Sequence, residues 1–205
     1  MCFGSSDDDN SQTPPRPRQT HPQDTQPQRR HGDTGAVTAP IALRPMRPMM
    51  TPGNIPPNDV PAFARSIDFH LRGLGYAFIG GVACSLLGSQ RTTHDLDIIV
   101  PQGARRQALS ILARDSTNFG VAEGGSWVNM NRRRYNLDVI EPQQIGQQFT
   151  GREVVISNGV RVLDPNLLLQ YKRYSLSRRD RSRVSSIEND KSDIKFLTQY
   201  LKNHR

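Results

Sequence analysis

Apolar positions recur with a regular period from Pro61 onward and with none before it. In AFARSIDFHLRGLG, Phe63, Ile67, Leu71 and Leu74 are spaced four, four and three apart, which is one face of a helix. Gly73 and Gly75 supply its stop. YAFI reads as a short strand that runs directly into Gly80-Gly81, and VACSLLG as a short helix packed by Val82, Leu86 and Leu87. DLDIIVP predicts a strand ended by Pro101. GARRQALSILARD predicts a second amphipathic helix, with Ala104, Ala108, Ile111 and Leu112 inward and Arg105, Arg106 and Arg114 in water. SWVNM and RRRYNLDVIEP predict two strands. In the second, Tyr135, Leu137 and Val139 alternate against Asn136, Asp138 and Ile140. REVVIS and VRVLDP meet at Asn158-Gly159, a pair suited to a two-residue type I′ turn, and predict a hairpin. Two helices close the chain, PNLLLQYKRYSL and SSIENDKSDIKFLTQYLKNH, with the basic SRRDRSRVSS as the loop between them. This order implies an α+β class, a mixed β-sheet flanked by helices.

Residues 1–60 follow neither period. They are rich in Pro, Gln and Arg and hold too little apolar side chain to offset the entropy of ordering them, so the expectation is a disordered N-terminal tail with polyproline-like pieces around Pro14–Pro17. The domain is then residues 61–205. Charge divides the same way: residues 1–60 carry six Arg and no Lys against six Asp, so the whole net charge of +8 falls on the domain. A basic domain favours an anionic partner such as nucleotide phosphates, RNA or an acidic protein.

The two cysteines, Cys2 and Cys84, are far apart and imply no disulfide framework, which fits a reducing compartment. The five histidines do not cluster with them, which argues against a structural zinc site. The longest apolar run, Ala77–Leu87, is interrupted by Gly80, Gly81 and Ser85, and no segment approaches the ~20 residues of a membrane span. MCFGSSDDD has neither the basic region nor the apolar core of a signal peptide. The expected location is the cytoplasm, with the nucleus as alternative. The sequence does not set the oligomeric state.

One constellation carries chemistry. Two-metal phosphoryl transfer needs carboxylates a few ångström apart around one phosphate. On a strand, Asp95 and Asp97 point to the same side, with Leu96 and Ile98 to the other. A third carboxylate must come from a neighbouring strand, and Asp138 in NLDVI, flanked by Leu137 and Val139, is the candidate. Gly80-Gly81, at a strand-to-helix junction, offers backbone N–H donors with close access for phosphates.

The segment FIGGVACSLLGSQRTTHDLDII, followed later by NLDVIEP, resembles the signature of the DNA polymerase β-like nucleotidyltransferase superfamily. Arg91, Thr93, Asp95 and Asp97 in R-x-T-x-D-x-D are most similar to its small minimal and AbiEii-type branch. LLLQYKRYSLSRR and NDKSDIKFL are similar to that branch's C-terminal helices, with Lys172, Asp190 and Asp193 at the matching positions. The resemblance spans roughly residues 65–201 and implies a nucleotidyltransferase fold that moves a nucleoside monophosphate from an NTP, ATP included, to an acceptor hydroxyl. It further implies two Mg²⁺ ions, or Mn²⁺ in their place. Asp95 and Asp97 would hold both ions, while Asp138 holds the catalytic one and takes the hydroxyl proton. Gly80 and Gly81 would cradle the triphosphate and Lys172 neutralise it. The acceptor class stays open between RNA, a protein and a small molecule.

Other readings compete at several positions. A lone D-x-D recurs in glycosyltransferases and dehalogenase-type phosphatases, but there an apolar strand precedes the acids, whereas here Ser89–His94 is polar. No Walker or G-x-G-x-x-G glycine pattern is present, which excludes P-loop and Rossmann readings. Asp190 and Asp193 also suit a helix cap with Arg partners. Arg132–Arg134 and Arg178, Arg179, Arg181 and Arg183 suit either a phosphate-binding patch or solvated loops. Arg91 and Thr93 suit ordering of the loop before the acids, Trp127 hairpin packing, and Cys84 a small buried position. The competing function is a non-catalytic module of the same fold that binds a partner protein or nucleic acid, including a toxin–antitoxin-like element.

Overall fold

Strand pairing follows from which strands are apolar on both faces. In a computed structural model, which describes residues 53–204 apart from 123, 124 and 147, the three-residue strand β1 (Ala77–Ile79) is buried throughout. It lies near the centre of a seven-stranded sheet of order β3-β4-β5-β2-β1-β7-β6. The others are β2 (Asp95–Ile99), β3 (Phe119–Ala122), β4 (Gly125–Met130), β5 (Arg133–Ile140), β6 (Val154–Ser157) and β7 (Val160–Leu163). β2 runs parallel to β5 and β1 parallel to β7, while β1–β2, β3–β4, β4–β5 and β6–β7 are antiparallel. The sheet is therefore mixed, and the chain adopts the expected α+β class. Parallel neighbours require crossovers, and these are supplied by α2 (Gly80–Leu86), α3 (Arg105–Ala113) and the longer excursions between them.

The remaining helices are α1 (Val60–Leu71), α4 (Pro165–Arg178) and α5 (Val184–Asn203). α1 buries Phe63, Ile67 and Leu71 of the predicted stripe, together with Val60 and Ala64, and Leu74 falls just beyond its end. The Phe63 ring meets Tyr135 of β5 edge-to-face at 4.8 Å, so α1 covers the sheet face that carries Tyr135, Leu137 and Val139. Strand alternation then sends Asn136 and Asp138 to the opposite face. Asp164 caps α4 by accepting the Asn166 and Leu167 backbone N–H groups, with Pro165 in the first turn where no N–H partner is required.

Two expectations are corrected. The packed chain does not begin at Pro61: Ile55 is fully buried and exchanges backbone hydrogen bonds with Thr93, and α1 starts at Val60. A single apolar residue among prolines carries no period, which is why that contact is invisible in sequence. The tail expectation for residues 1–52 lies outside the described residues. Phe119–Ala122 is a strand that no alternation announced, because Gly120 leaves room for Trp127 of β4 to lie across it. The predicted turn at Asn158-Gly159 is present with φ of 51° and 78°, and a second turn of the same sign occurs at Asn131-Arg132, with φ of 53° and 62°. Among the described residues no helix is long and apolar enough to cross a membrane.

Candidate functional site

The parallel pairing of β2 with β5 sets the site. Its register places Asp97 opposite Asp138 and Asp95 opposite Asn136. Leu96, Ile98, Leu137 and Val139 are buried on the other face and lock this register, since a one-residue slip would expose all four. The three predicted carboxylates therefore share one face of two adjacent strands. Asp95 and Asp97 are half-buried and Asp138 is exposed at the rim. Asn136 Nδ2 donates to Asp95 Oδ1 at 2.9 Å, which fixes that carboxylate's orientation.

Like charges crowd this face. Burial pushes the Asp97 carboxyl up to about 7, and the carboxylates of Asp138 and Asp95 add to the rise against the opposing pull of Lys172 and Arg179. Asp138, although at the rim, is raised too, first by partial withdrawal of its carboxyl from water and then by Asp95, with Arg105 opposing. The Arg105 Nε donates to the Val139 carbonyl at 2.9 Å, which holds its guanidinium beside that strand. Hard oxygen donors under mutual repulsion are the donor set that Mg²⁺ or Mn²⁺ takes, and an ion between them relieves the repulsion. Among the described residues no three His, Cys, Asp or Glu side chains close on a single point as a ready-made cage.

The two glycines lie at the junction of β1 and α2, where the sequence put them. Gly80 has φ +67°, and a Cβ there would collide with the Asp97 carboxylate. A Cβ on Gly81 would lie 2.7 Å from both Arg91 Nη2 and Thr93 Oγ1. Both glycines are buried. Their shown role is to let α2 approach the acidic strand and its lead-in loop.

Lys172 departs from its predicted role. Its ammonium is buried, 2.8 Å from Asp193 Oδ2 and 3.0 Å from Asp190 Oδ1, and so has no free face for a phosphate. These two carboxylates, three residues apart on α5, hold its proton more tightly than an ordinary lysine despite the opposing cost of burial. Asp193 also accepts Arg91 Nε at 3.0 Å and Nη2 at 2.9 Å, and Asp190 accepts Ser175 Oγ at 3.2 Å and the Arg179 Nε. Asp190 and Asp193 thus lie inside α5, not at its cap, and tie the loop before β2 to both C-terminal helices. Arg91 and Thr93 order that loop as expected: Thr93 Oγ1 donates to the Asp95 carbonyl at 3.1 Å. Cys84 is a small buried residue whose thiol burial pushes up to about 12.

Next to the carboxylate face opens a cleft of ≈ 500 Å³ between the end of β5, the 3₁₀ turn Pro142–Ile145 and α4, lined among others by Tyr171, Tyr174, Arg178, Arg179 and Arg183. The arginine run was legible as a patch, but the tyrosines were not, because at i, i+3 on an amphipathic helix they read as packing. Of Arg132–Arg134, Arg132 is a turn residue, and Arg134 stacks on Trp127 with its guanidinium 4.4 Å from the ring and donates to Asn129.

No family model and no curated protein matches the chain. Among solved structures, the chain is similar at a TM-score of 0.37 and 13% identity to one described as the crystal structure of ANT(2″)-Ia in complex with adenylyl-2″-tobramycin, over 71% of this chain and 98% of that one.

Proposed function

We propose that this chain is a nucleotidyltransferase that moves a nucleoside monophosphate from an NTP to an acceptor hydroxyl. The observation that carries the proposal is the pairing of Asp97 with Asp138 across β2 and β5, with Asp95 on the same face and Gly80 closing against Asp97. In the reaction the acceptor oxygen bonds to the α-phosphorus as the bond from that phosphorus to its bridging oxygen breaks. Pyrophosphate leaves, and the hydroxyl proton passes to a carboxylate. Asp138, accessible at the rim and with its proton affinity raised, would take that proton. Asp95 and Asp97 would hold two Mg²⁺ ions, with Asp138 contributing to the binding of one. When bound, the ions supply charge screening on the phosphates and a lowered cost of forming the attacking oxyanion. Asn136 keeps Asp95 oriented.

The test is incubation of the chain with each α-labelled NTP, Mg²⁺ and a panel of RNA, protein and small hydroxylated acceptors. Label transfer that disappears in Asp97→Asn and Asp95→Asn supports the reading. Absence of transfer to any acceptor, with NTP binding unchanged in Asp95→Asn, overturns it. The engagement of Lys172 in ion pairs favours the alternative reading, a non-catalytic module of this fold, and that reading predicts no Mg²⁺-dependent NTP affinity at all.

A further inference from the structure

Resting on that reading, we infer that the cleft beside the carboxylates receives a nucleotide unit of the acceptor, stacking its base on tyrosine and pairing its phosphate with arginine. One wall is α4, where Tyr171 and Tyr174 stand one turn apart. Arg178 extends that wall: its guanidinium lies 5.2 Å from the Tyr174 ring centre and Nη1 donates to the Tyr174 hydroxyl at 2.5 Å. Tyr174 packs against Gly146, where a Cβ would come 3.0 Å from the phenol Cζ. Ile140 and Ile145 add an apolar part to the lining.

Charge in the cleft is one-sided. Arg178, Arg179 and Arg183 face a single acid, Asp180, which accepts the Ser182 backbone N–H at 3.0 Å. Arg179 is anchored to Asp190, whereas Arg178 and Arg183 are exposed. Aromatic faces next to guanidiniums are the means by which single-stranded nucleotides are held without sequence readout, and a positively charged cleft repels a polycationic acceptor. A volume of ≈ 500 Å³ is in the range of small-ligand sites.

Position links the cleft to the chemistry. Ile140 is two residues beyond Asp138 on the same strand, hence on the same face and about 7 Å away along it. A nucleotide seated against Ile140 therefore lies beside Asp138. The shared chemistry is a nucleoside phosphate bearing a free hydroxyl, and its source is either a free mononucleotide or the end of a single-stranded RNA.

The experiment measures fluorescence anisotropy of a 5′-labelled single-stranded RNA octamer with the full chain in EDTA, where divalent ions play no part, with AMP and poly-glutamate as competitors. Saturable binding weakened at least tenfold by Arg178→Glu, by Arg183→Glu and by Tyr174→Leu, but not by Asp97→Asn, is expected. Competition by AMP at comparable concentration assigns a mononucleotide source, and its failure assigns a chain end. Either result supports the inference. Absence of RNA binding, equal competition by poly-glutamate, or affinity indifferent to the arginine and tyrosine substitutions overturns it. Both arginines are exposed, and Tyr174→Leu keeps an apolar side chain over Gly146, so the variants leave the fold in place. Nucleotide binding without any transfer activity sinks the enzymatic reading alone, whereas transfer to other acceptors with no binding here sinks the inference alone.

Discussion

Two clusters of buried and half-buried charge lie within this domain, and they are built oppositely. Between α4, α5 and the loop before β2, Asp190 and Asp193 are matched by Lys172, Arg91 and Arg179, so each acid has partners within hydrogen-bond reach. On the β2–β5 face, Asp95, Asp97 and Asp138 face one another across adjacent register positions, and burial with like charge raises Asp97 and Asp138. A cluster that satisfies itself holds structure together, and a cluster that repels itself needs a partner from outside. By this difference the first is scaffold and the second is the candidate for chemistry.

The comparison breaks most visibly at Asp193. Asp193→Ala leaves Arg91 and half of the Lys172 coordination uncompensated in a buried setting, and is expected to cost about 3–5 kcal/mol in urea unfolding. A loss below 1 kcal/mol would mean that the ionic cluster is not scaffold. Gly80→Ala comes next, at about 2–4 kcal/mol, because the new side chain meets the Asp97 carboxylate and a left-handed backbone at once. In an Asp97→Ala background only the backbone strain of about 1–2 kcal/mol remains. Equal costs in the two backgrounds would show that Gly80 and Asp97 do not touch.

The third effect is smaller and has a pH signature. With Asp97 raised from 3.8 to about 7 in the folded chain, folding takes up a proton, so its contribution to stability is present below pH 4 and is lost as pH rises through 7. In metal-free buffer, Asp97→Asn removes that part of the pH dependence and is more stable than the wild type at pH 8, by on the order of 2 kcal/mol. Identical stability profiles of the two proteins between pH 4 and 8 would contradict the crowding of the acids.

How much of this was legible in sequence depends on whether each residue's role is local. The same-face geometry of Asp95 and Asp97 needs only strand alternation, and so did the placement of Asp138 opposite Leu137 and Val139. Their pairing across strands 41 residues apart rested on resemblance, because register is a long-range property. Lys172 was misread for the same reason: its partners are 18 and 21 residues away on α5, and a lysine beside an arginine on a helix reads as solvated or phosphate-bound until the acids are seen around it. Ile55 and β3 were lost because a lone isoleucine among prolines and a Phe-Gly-Val-Ala run carry no period, while tertiary contacts with Thr93 and Trp127 decide their state.

The most direct measurement on the carboxylate face is a Mn²⁺ titration followed by electron paramagnetic resonance, in the presence of a non-hydrolysable ATP analogue. Saturable binding beyond that of the analogue alone, weakened at least tenfold by Asp97→Asn and undiminished by Lys172→Met in a chain that remains folded, is the expected result. Wild-type protein that binds no Mn²⁺, or binding equal in Asp97→Asn, would contradict the assignment of this face to metal-dependent chemistry.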